Sequence, residues 1–338
     1  MRIEKYLSGR IHMEENRKAT IIIPNFNGMR FLPACIAALR KQTVSCFRIL
    51  VVDNASSDDS ILWMEKNQVP FIREKENLGF AGGVNAGIRA ADTPFVILLN
   101  NDTEVFPDFV EQLLTAVERS ERIFSVSSLM ISAGQKNLID DAGDGMNLFG
   151  WAYQRGTGRN LSRCCKKPRP VFSSCGGAAI YRRELFRITG LFDEAHFAYL
   201  EDTDIGWRAK LLGYINLYWP YAKVYHAGSA TSGSRYNEFK VRLAARNNIW
   251  LHYKNQSAAQ LFFNAGFLFC GILIKAVFFA KKGYLSAYLS GLREGAAGTG
   301  KAERFDFSKT TPERVFSIEW EMIAGTVEYV YNYIFRSL

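Results

Sequence analysis

The stretch Ile97-Leu98-Leu99-Asn100-Asn101-Asp102-Thr103 constrains this chain most, because an apolar run halts there at two amides and a carboxylate. In an open α/β sheet the carboxyl end of a buried strand is where ligands sit. A carboxylate held there needs a partner. A divalent cation carrying a diphosphate would supply one, and a plain Asn/Asp turn accounts for the same residues. The preceding sequence repeats the pattern. Thr20–Ile23 is a β-branched run ended by Pro24-Asn25, and Arg48–Val52 is ended by Asp53-Asn54-Ala55-Ser56-Ser57-Asp58. Helices are predicted near 29–41 and 59–67 and, from a Gly-rich opening, over 79–90. Short strands are predicted at Phe71–Arg73 and Phe95–Leu99. Strands alternating with helices at this spacing predict an α/β fold with a mostly parallel sheet flanked by helices.

Beyond Asp102 the alternation loosens. A helix is predicted near 109–120 and a strand near 124–130, followed by a long Gly- and Arg-rich loop over 140–170 and a last ordered unit over 171–226. The 338 residues suffice for one large domain or two smaller ones. The expected organisation is an N-terminal tail (1–18), a first half (19–103), a second half (104–231) and a helical C-terminal region (232–338).

Hydrophobic residues make up 48% and charged residues 22%, a globular profile. A net charge of +9 favours anionic partners. The stretch from Trp151 to Arg183 holds eight Lys or Arg and no Asp or Glu, which reads as a solvated loop or as a basic rim facing a phosphate-bearing substrate. No nucleic-acid module accompanies the charge, so no nucleic-acid partner is expected. Six cysteines without CxxC spacing predict a reduced, cytosolic-side protein. His12, His196, His226 and His252 are not clustered with them, which argues against zinc. Residues 1–18 are charged and lack an apolar h-region, so no signal peptide is expected.

Leu261–Ala280 is apolar throughout except for Asn264 and Lys275, and includes six Phe. Twenty such residues are long enough to span a bilayer as a helix. Gln260, Asn264, Gly271, Lys275 and Lys282 fall near one side at about 100° per residue. That polar stripe, with Lys281 beside it, predicts an interfacial helix over about 261–282 lying in the headgroup plane; a buried core helix is the alternative.

The order of motifs is diagnostic. Ile22-Ile23-Pro24-Asn25-Phe26-Asn27-Gly28 is followed by Val51-Val52-Asp53-Asn54, then by Asn77-Leu78-Gly79-Phe80-Ala81-Gly82-Gly83-Val84-Asn85, then by Asn100-Asn101-Asp102. Leu191-Phe192-Asp193-Glu194 precedes Glu201-Asp202-Thr203-Asp204-Ile205-Gly206-Trp207-Arg208. Over about residues 19–255 this set resembles glycosyltransferase family 2, inverting nucleotide-sugar transferases of GT-A fold, and within it the bacterial rhamnosyltransferase-like branch.

The resemblance implies roles residue by residue. Asp53 meets the nucleotide base, and Pro24, Asn25, Asn27, Asn77, Gly79, Gly82, Asn85 and Asn101 line the donor site. Glycines there let backbone approach a diphosphate. Asp102 matches the last acid of the metal-binding DXD element, with Asn100 in place of its first acid, and would share Mg²⁺ or Mn²⁺ with the donor diphosphate. His226 matches a second metal-ligand position, or a hydrogen-bonded structural one. Asp202 is the expected catalytic base, raised by its neighbour Glu201 if the site is partly dry. Asp204 is spaced as a helix cap or a salt-bridge partner for Arg208. Trp151, Gly176, Gly177 and Glu201 are expected on the acceptor side, and Arg246, with Asn247, near the diphosphate.

The implied activity is transfer of a sugar, with rhamnose as one candidate, from a nucleotide-diphosphate donor to a glycan or lipid-linked acceptor. The setting would be bacterial cell-surface polysaccharide synthesis, peripherally on the cytoplasmic side of the inner membrane. A homodimer is left open. A sugar-phosphate nucleotidyltransferase is a second reading, disfavoured because Pro24-Asn25-Phe26-Asn27-Gly28 stands where such enzymes carry a basic Gly-rich loop. A non-catalytic membrane- or glycan-binding protein is a third, disfavoured by intact Asp53, Asp102 and Asp202.

Overall fold

Three consecutive isoleucines, Ile21 to Ile23, make β1 (Ala19–Asn25) a strand buried on both faces. Parallel neighbours cover its edges: β2 (Phe47–Asp53) on one side and β4 (Phe95–Leu99) on the other, with β3 (Phe71–Arg73) beyond β2. The helices α1 (Leu32–Leu39), α2 (Ser60–Lys66) and α3 (Gly79–Ala90) lie in the connections. Strand order therefore reverses at β1, and such a switch point opens a crevice at the carboxyl ends of the strands. Asn25, Asp53 and the turn after Leu99 all lie at that edge. The computed structural model describes residues 17–228 and 236–334; most of the tail predicted over 1–18 lies outside them.

The sheet continues past β4 with a change of direction. β11 (Ala178–Arg182) runs antiparallel to both β4 and β6 (Ile123–Ser132). β12 (Ile215–His226) runs parallel to β6, and β10 (Arg169–Val171) closes the far edge. β5 (Thr103–Val105) pairs with the last residues of β12, and β7 (Ile139–Asp141) with β6. The β5 pairing matters most, because it seats His226 opposite Thr103, next to Asp102.

The segment 140–170 differs from the loop predicted for it. It contains the hairpin of β8 (Asp144–Met146) and β9 (Ala152–Gln154), with Gly143, Gly150, Gly156 and Gly158 at positive φ in its turns. Three-residue strands carry too few side chains for a period to show. The predicted basic rim is also changed. Arg155 is buried against Glu328, while Arg182 and Arg183 donate to backbone carbonyls. The neutralising acid lies more than 170 residues away in sequence.

The other helices are α4 (Phe109–Val117), α5 (Phe186–Thr189), α6 (Glu201–Leu211), α7 (Glu238–Asn255), α8 (Ala258–Lys281), α9 (Leu285–Gly298) and α10 (Pro312–Ile334). The C-terminal helices share a core with the second half, in which Trp207 and Leu211 of α6 meet Leu251 of α7, and Ile318 and Met322 of α10. The polar stripe predicted along α8 is turned toward the protein. Gln260, Asn264 and Gly271 of the polar stripe are buried against the protein, and the apolar side faces out. The stripe has protein partners, which a headgroup layer would otherwise supply: Gln260 donates to Glu319, and the Lys275 ammonium lies over the Trp151 ring.

Candidate active site

The site is built from side chains joined across the carboxyl edge of the sheet. The Asn101 amide donates to Asn25 Oδ1 (2.8 Å), and the Asn25 amide donates to Asp53 Oδ1 (3.0 Å). This chain laces β4, β1 and β2 together where the crevice opens. Gly28 permits it, because a Cβ there would lie 2.0 Å from the Asn101 amide and 2.2 Å from Asn25 Oδ1. Asp53 is buried and also accepts from the Ser56 N–H through Oδ2 (2.9 Å). Asn27, with φ of +50°, accepts the Ser57 N–H and completes the loop. Pro24 is half-buried at the end of β1.

Across the crevice, a dipeptide ties the two acidic motifs together. Gly176 donates its N–H to Asp202 Oδ2 (3.2 Å), and the Gly177 carbonyl accepts the Asn100 N–H (2.8 Å). The antiparallel pairing of β11 with β4 forces this, since the entry to one strand faces the exit of the other. Asp202 sits in the first turn of α6, where Oδ1 accepts from the Thr203 N–H (2.7 Å). Its carboxyl is nevertheless pushed up by burial, against the pull of those N–H donors. Burial and then the Asp202 charge push Glu201 well above the usual carboxylate range. Glu201 Oε2 is buried without a hydrogen-bond partner among the described residues. Glu201 is buried and Asp202 half-buried, the partly dry setting that the raised carboxyl requires.

Two further carboxyls lie in the same field. Burial pushes Asp141 up to about 7 and Asp144 well above the usual range, and each interacts with Asp202 and with the other. The sequence reading passed over both inside the supposed loop, although Asp140-Asp141-x-x-Asp144 ahead of Gly145 was a visible signal.

On the near side, His226 bridges two acids. Nε2 lies 3.3 Å from Asp102 Oδ1 and Nδ1 lies 2.7 Å from Asp140 Oδ2. Burial opposes the imidazolium, but hydrogen bonds to the two carboxylates push its pKa up to about 10. Among the described residues no group of three His, Cys, Asp or Glu is arranged to cage a metal. The donor set present is one carboxylate and one imidazole, the latter oriented by an outer carboxylate. This fits an Mg²⁺ or Mn²⁺ ion that takes its remaining ligands from phosphate and water.

The family model for glycosyl transferase family 2 matches residues 20–189, half of the chain. The chain belongs to this family. Two relatives illustrate the similarity. An uncharacterized Sinorhizobium fredii protein is 26% identical over 65% of this chain, which spans only 26% of that protein's length. The N-acetylglucosaminyl-diphospho-decaprenol L-rhamnosyltransferase of Mycobacterium tuberculosis is 27% identical over 59% of this chain and 72% of its own. Among solved structures, S. aureus TarS in complex with UDP-GlcNAc superposes with a TM-score of 0.56 at 16% identity, covering 93% of this chain and 91% of its own. The mannosyltransferase PcManGT from Pyrobaculum calidifontis, in complex with GDP-Man and Mn²⁺, gives 0.52 at 16% identity, covering 93% and 87%. These likenesses bear on the fold, which is GT-A.

Several motif residues of this family 2 chain serve the framework. Asn85 donates its amide to the Phe192 carbonyl (2.8 Å) and to Glu194 (2.9 Å), and accepts the Phe192 N–H, so it fastens α3 to the Leu191–Glu194 segment. Asn77 accepts the Gly79 N–H, and Asn54 donates to the Gly79 carbonyl. Gly79 has φ of +71° and abuts the Phe197 carbonyl, while Gly82 packs over Leu78. Trp151 lies in a seam with Phe149 and Tyr329, between the β8–β9 hairpin and the C-terminal helices.

Helix α7 acts as a clamp on the loop that leads into the Glu201–Asp204 motif. Arg246 donates to the carbonyls of Ala195 (2.7 Å) and His196 (3.1 Å). The Asn247 amide donates to those of His196, Ala198 and Tyr199. Phe197, Tyr199 and Leu200 all have positive φ, a strain that persists only where surroundings hold it. Lower on α7, Lys254 lies 2.6 Å from Asp193 Oδ2 and 3.1 Å from Asp204 Oδ1. Asp204 also pairs with Arg208 (2.8 Å), the structural role its spacing suggested. Arg208 in turn donates to the carbonyls of Thr189 and Leu191. Sequence reasoning placed no weight on Lys254, a buried lysine two turns beyond Arg246 and Asn247 on the same helix.

Proposed function

We propose that this protein transfers a sugar, with inversion, from a nucleotide-diphosphate donor to an acceptor hydroxyl. The observation that carries the reading is the Gly176–Gly177 bridge, which holds Asp202 across a single dipeptide from the Asn100–Asp102 turn. Asp202 Oδ2 accepts one N–H and keeps a lone pair for the acceptor proton. The acceptor oxygen bonds to the anomeric carbon as the carbon–phosphate oxygen bond breaks, and the nucleoside diphosphate leaves with the electron pair. Asp102 and His226 would hold Mg²⁺ or Mn²⁺, which neutralises charge on the leaving diphosphate. The imidazolium proton of His226 has to leave before it can ligate. In this reading Pro24, Asn25, Asn27, Asp53 and Asn101 frame the nucleotide, and Glu201 keeps the base dry.

Similarity to a rhamnosyltransferase named for a diphospho-decaprenol acceptor supports rhamnose as the sugar and a lipid-linked acceptor, which would put the enzyme at the cytoplasmic face of a membrane. The test is a panel of thymidine-, uridine- and guanosine-diphosphate sugars, each with and without Mn²⁺ or Mg²⁺. Metal-dependent slow hydrolysis of one donor, with thermal stabilisation by it, is the expected result. A chain that neither binds nor turns over any donor would sink the reading.

His226→Ala tests the metal assignment separately. It is expected to raise the Mn²⁺ concentration for half-maximal activity about 10- to 100-fold, with Asp140→Asn acting in the same direction. An unchanged metal titration in both variants would remove His226 from the ligand set.

A further inference from the structure

The C-terminal helices leave a large apolar surface that none of the described residues covers. On α8, Phe262 and Phe263 are 79% and 76% exposed, and Phe269 is also exposed. On α10, Phe316 and Trp320 are 71% and 64% exposed, with Val327 one to two turns further along the same face. A monomer seldom leaves a patch of this kind without a partner.

The two helices present it together. Gln260 of α8 donates to Glu319 of α10 (2.9 Å). Farther along, Trp151 lies under Lys275 of α8 and against Tyr329 of α10. These contacts set the helices side by side, running the same way. Each is also seated on the β8–β9 hairpin at a glycine: a Cβ at Gly271 would lie 2.1 Å from the Phe149 carbonyl, and one at Gly325 equally close to that of Met146.

The distribution of charge selects the occupant. Helix α8 contains no Asp or Glu. The acids along α10 beyond its first turn turn aside or inward: Glu319 to Gln260, Glu321 to Lys210 and Glu328 to Arg155. Exposed Lys281 and Lys282 stand at the end of α8. An apolar face fringed by Trp and cations, with the exposed acid Glu313 confined to the first turn of α10, complements an anionic lipid surface.

We infer that α8 and α10 form one monotopic platform that rests on an anionic bilayer. Helix α8 is long and apolar enough to cross a membrane. Its inward contacts from Gln260 to Lys275, about 22 Å of helix, bind it to the body and hold it flat. The platform lies close to the chemistry. The β8 residue Asp144 exchanges backbone hydrogen bonds with Phe172 and Ser173, three residues before Gly176, whose N–H holds Asp202. Docking would therefore set the crevice at a fixed height above the lipid surface.

The full-length protein should float with vesicles of phosphatidylglycerol and phosphatidylcholine. The triple variant Phe262→Ser, Phe263→Ser, Trp320→Ser should bind them roughly a hundredfold more weakly. Lys281→Glu with Lys282→Glu should weaken binding to anionic vesicles about thirtyfold or more, with little effect on pure phosphatidylcholine. Donor hydrolysis without vesicles should be unchanged in both variants, so this test and that of the donor chemistry fail independently. Failure of the native protein to float, or equal flotation of the triple variant, overturns the inference. A native dimer by light scattering that the triple variant dissociates, with no vesicle binding, would assign the face to a second copy instead.

Discussion

Asp202→Asn is expected to lower the rate of sugar transfer by about 10²- to 10⁴-fold, the range for removal of a positioned general base. The amide keeps the size of the carboxyl and can still accept from Gly176 or Thr203 through its oxygen, so the fold and donor binding should survive. The expected signature is a collapsed kcat with donor affinity within a few-fold of native, read by single-turnover transfer and by donor titration. The pH profile gives a second readout. Burial raises the Asp202 carboxyl, and the neighbouring Glu201, Asp141 and Asp144 crowd it with carboxyls. A base must be unprotonated, so activity falls as pH drops through this raised value, and the acid limb should lie above that of a free carboxylate. Near-native turnover by Asp202→Asn would show that another group takes the proton.

Lys254→Met should cost about 3–5 kcal/mol of folding stability, the range for removing one partner of a buried ion pair. The ammonium is nearly buried between Asp193 and Asp204, and its loss leaves both carboxylates short of a countercharge. The Arg208 guanidinium still reaches Asp204, which limits the damage there. Urea unfolding measures the change. The pH dependence has a definite sign. Burial alone would raise the Asp204 carboxyl, but Arg208 and Lys254 hold it far below the usual range. A depressed folded-state pKa contributes stability that is fully present above the unfolded value and is lost as pH falls through the folded one. Removing Lys254 relaxes part of that depression, so the variant should begin to unfold in acid at a higher pH than the native chain. Unfolding curves that superpose across pH 3 to 7 would refute the clamp.

The two variants separate two functions of the 191–208 region. Asp202 faces the crevice and its change should act on rate. Lys254 and Asp204 are turned into the protein, and their changes should act on stability and through it on the strained loop at Phe197 to Leu200.

Local pattern made the first half legible. Apolar runs ending in Asn or Asp told where strands stop, and in a parallel sheet strand ends are the ligand edge, so Asn25, Asp53 and Asp102 could be placed together before any coordinates. The acidic Glu201-Asp202 pair was legible as chemistry. The burial of Glu201 was not, because burial depends on what packs over a side chain. Three features arose only in three dimensions. Asp140 found His226, 86 residues away, through the pairing of β5 with β12 and of β7 with β6. Asn85 and Arg246, which the family resemblance placed near the donor, hydrogen-bond to the chain itself, where loop carbonyls need donors. The α8 stripe was correctly read as one-sided by its period, but a helical period says which residues share a face and not which way the face turns. Sequence determined the strands, their ends and the acids that stand at them. The tertiary structure decided which acids share a field and which face of α8 looks outward, since both depend on contacts between residues far apart in the chain.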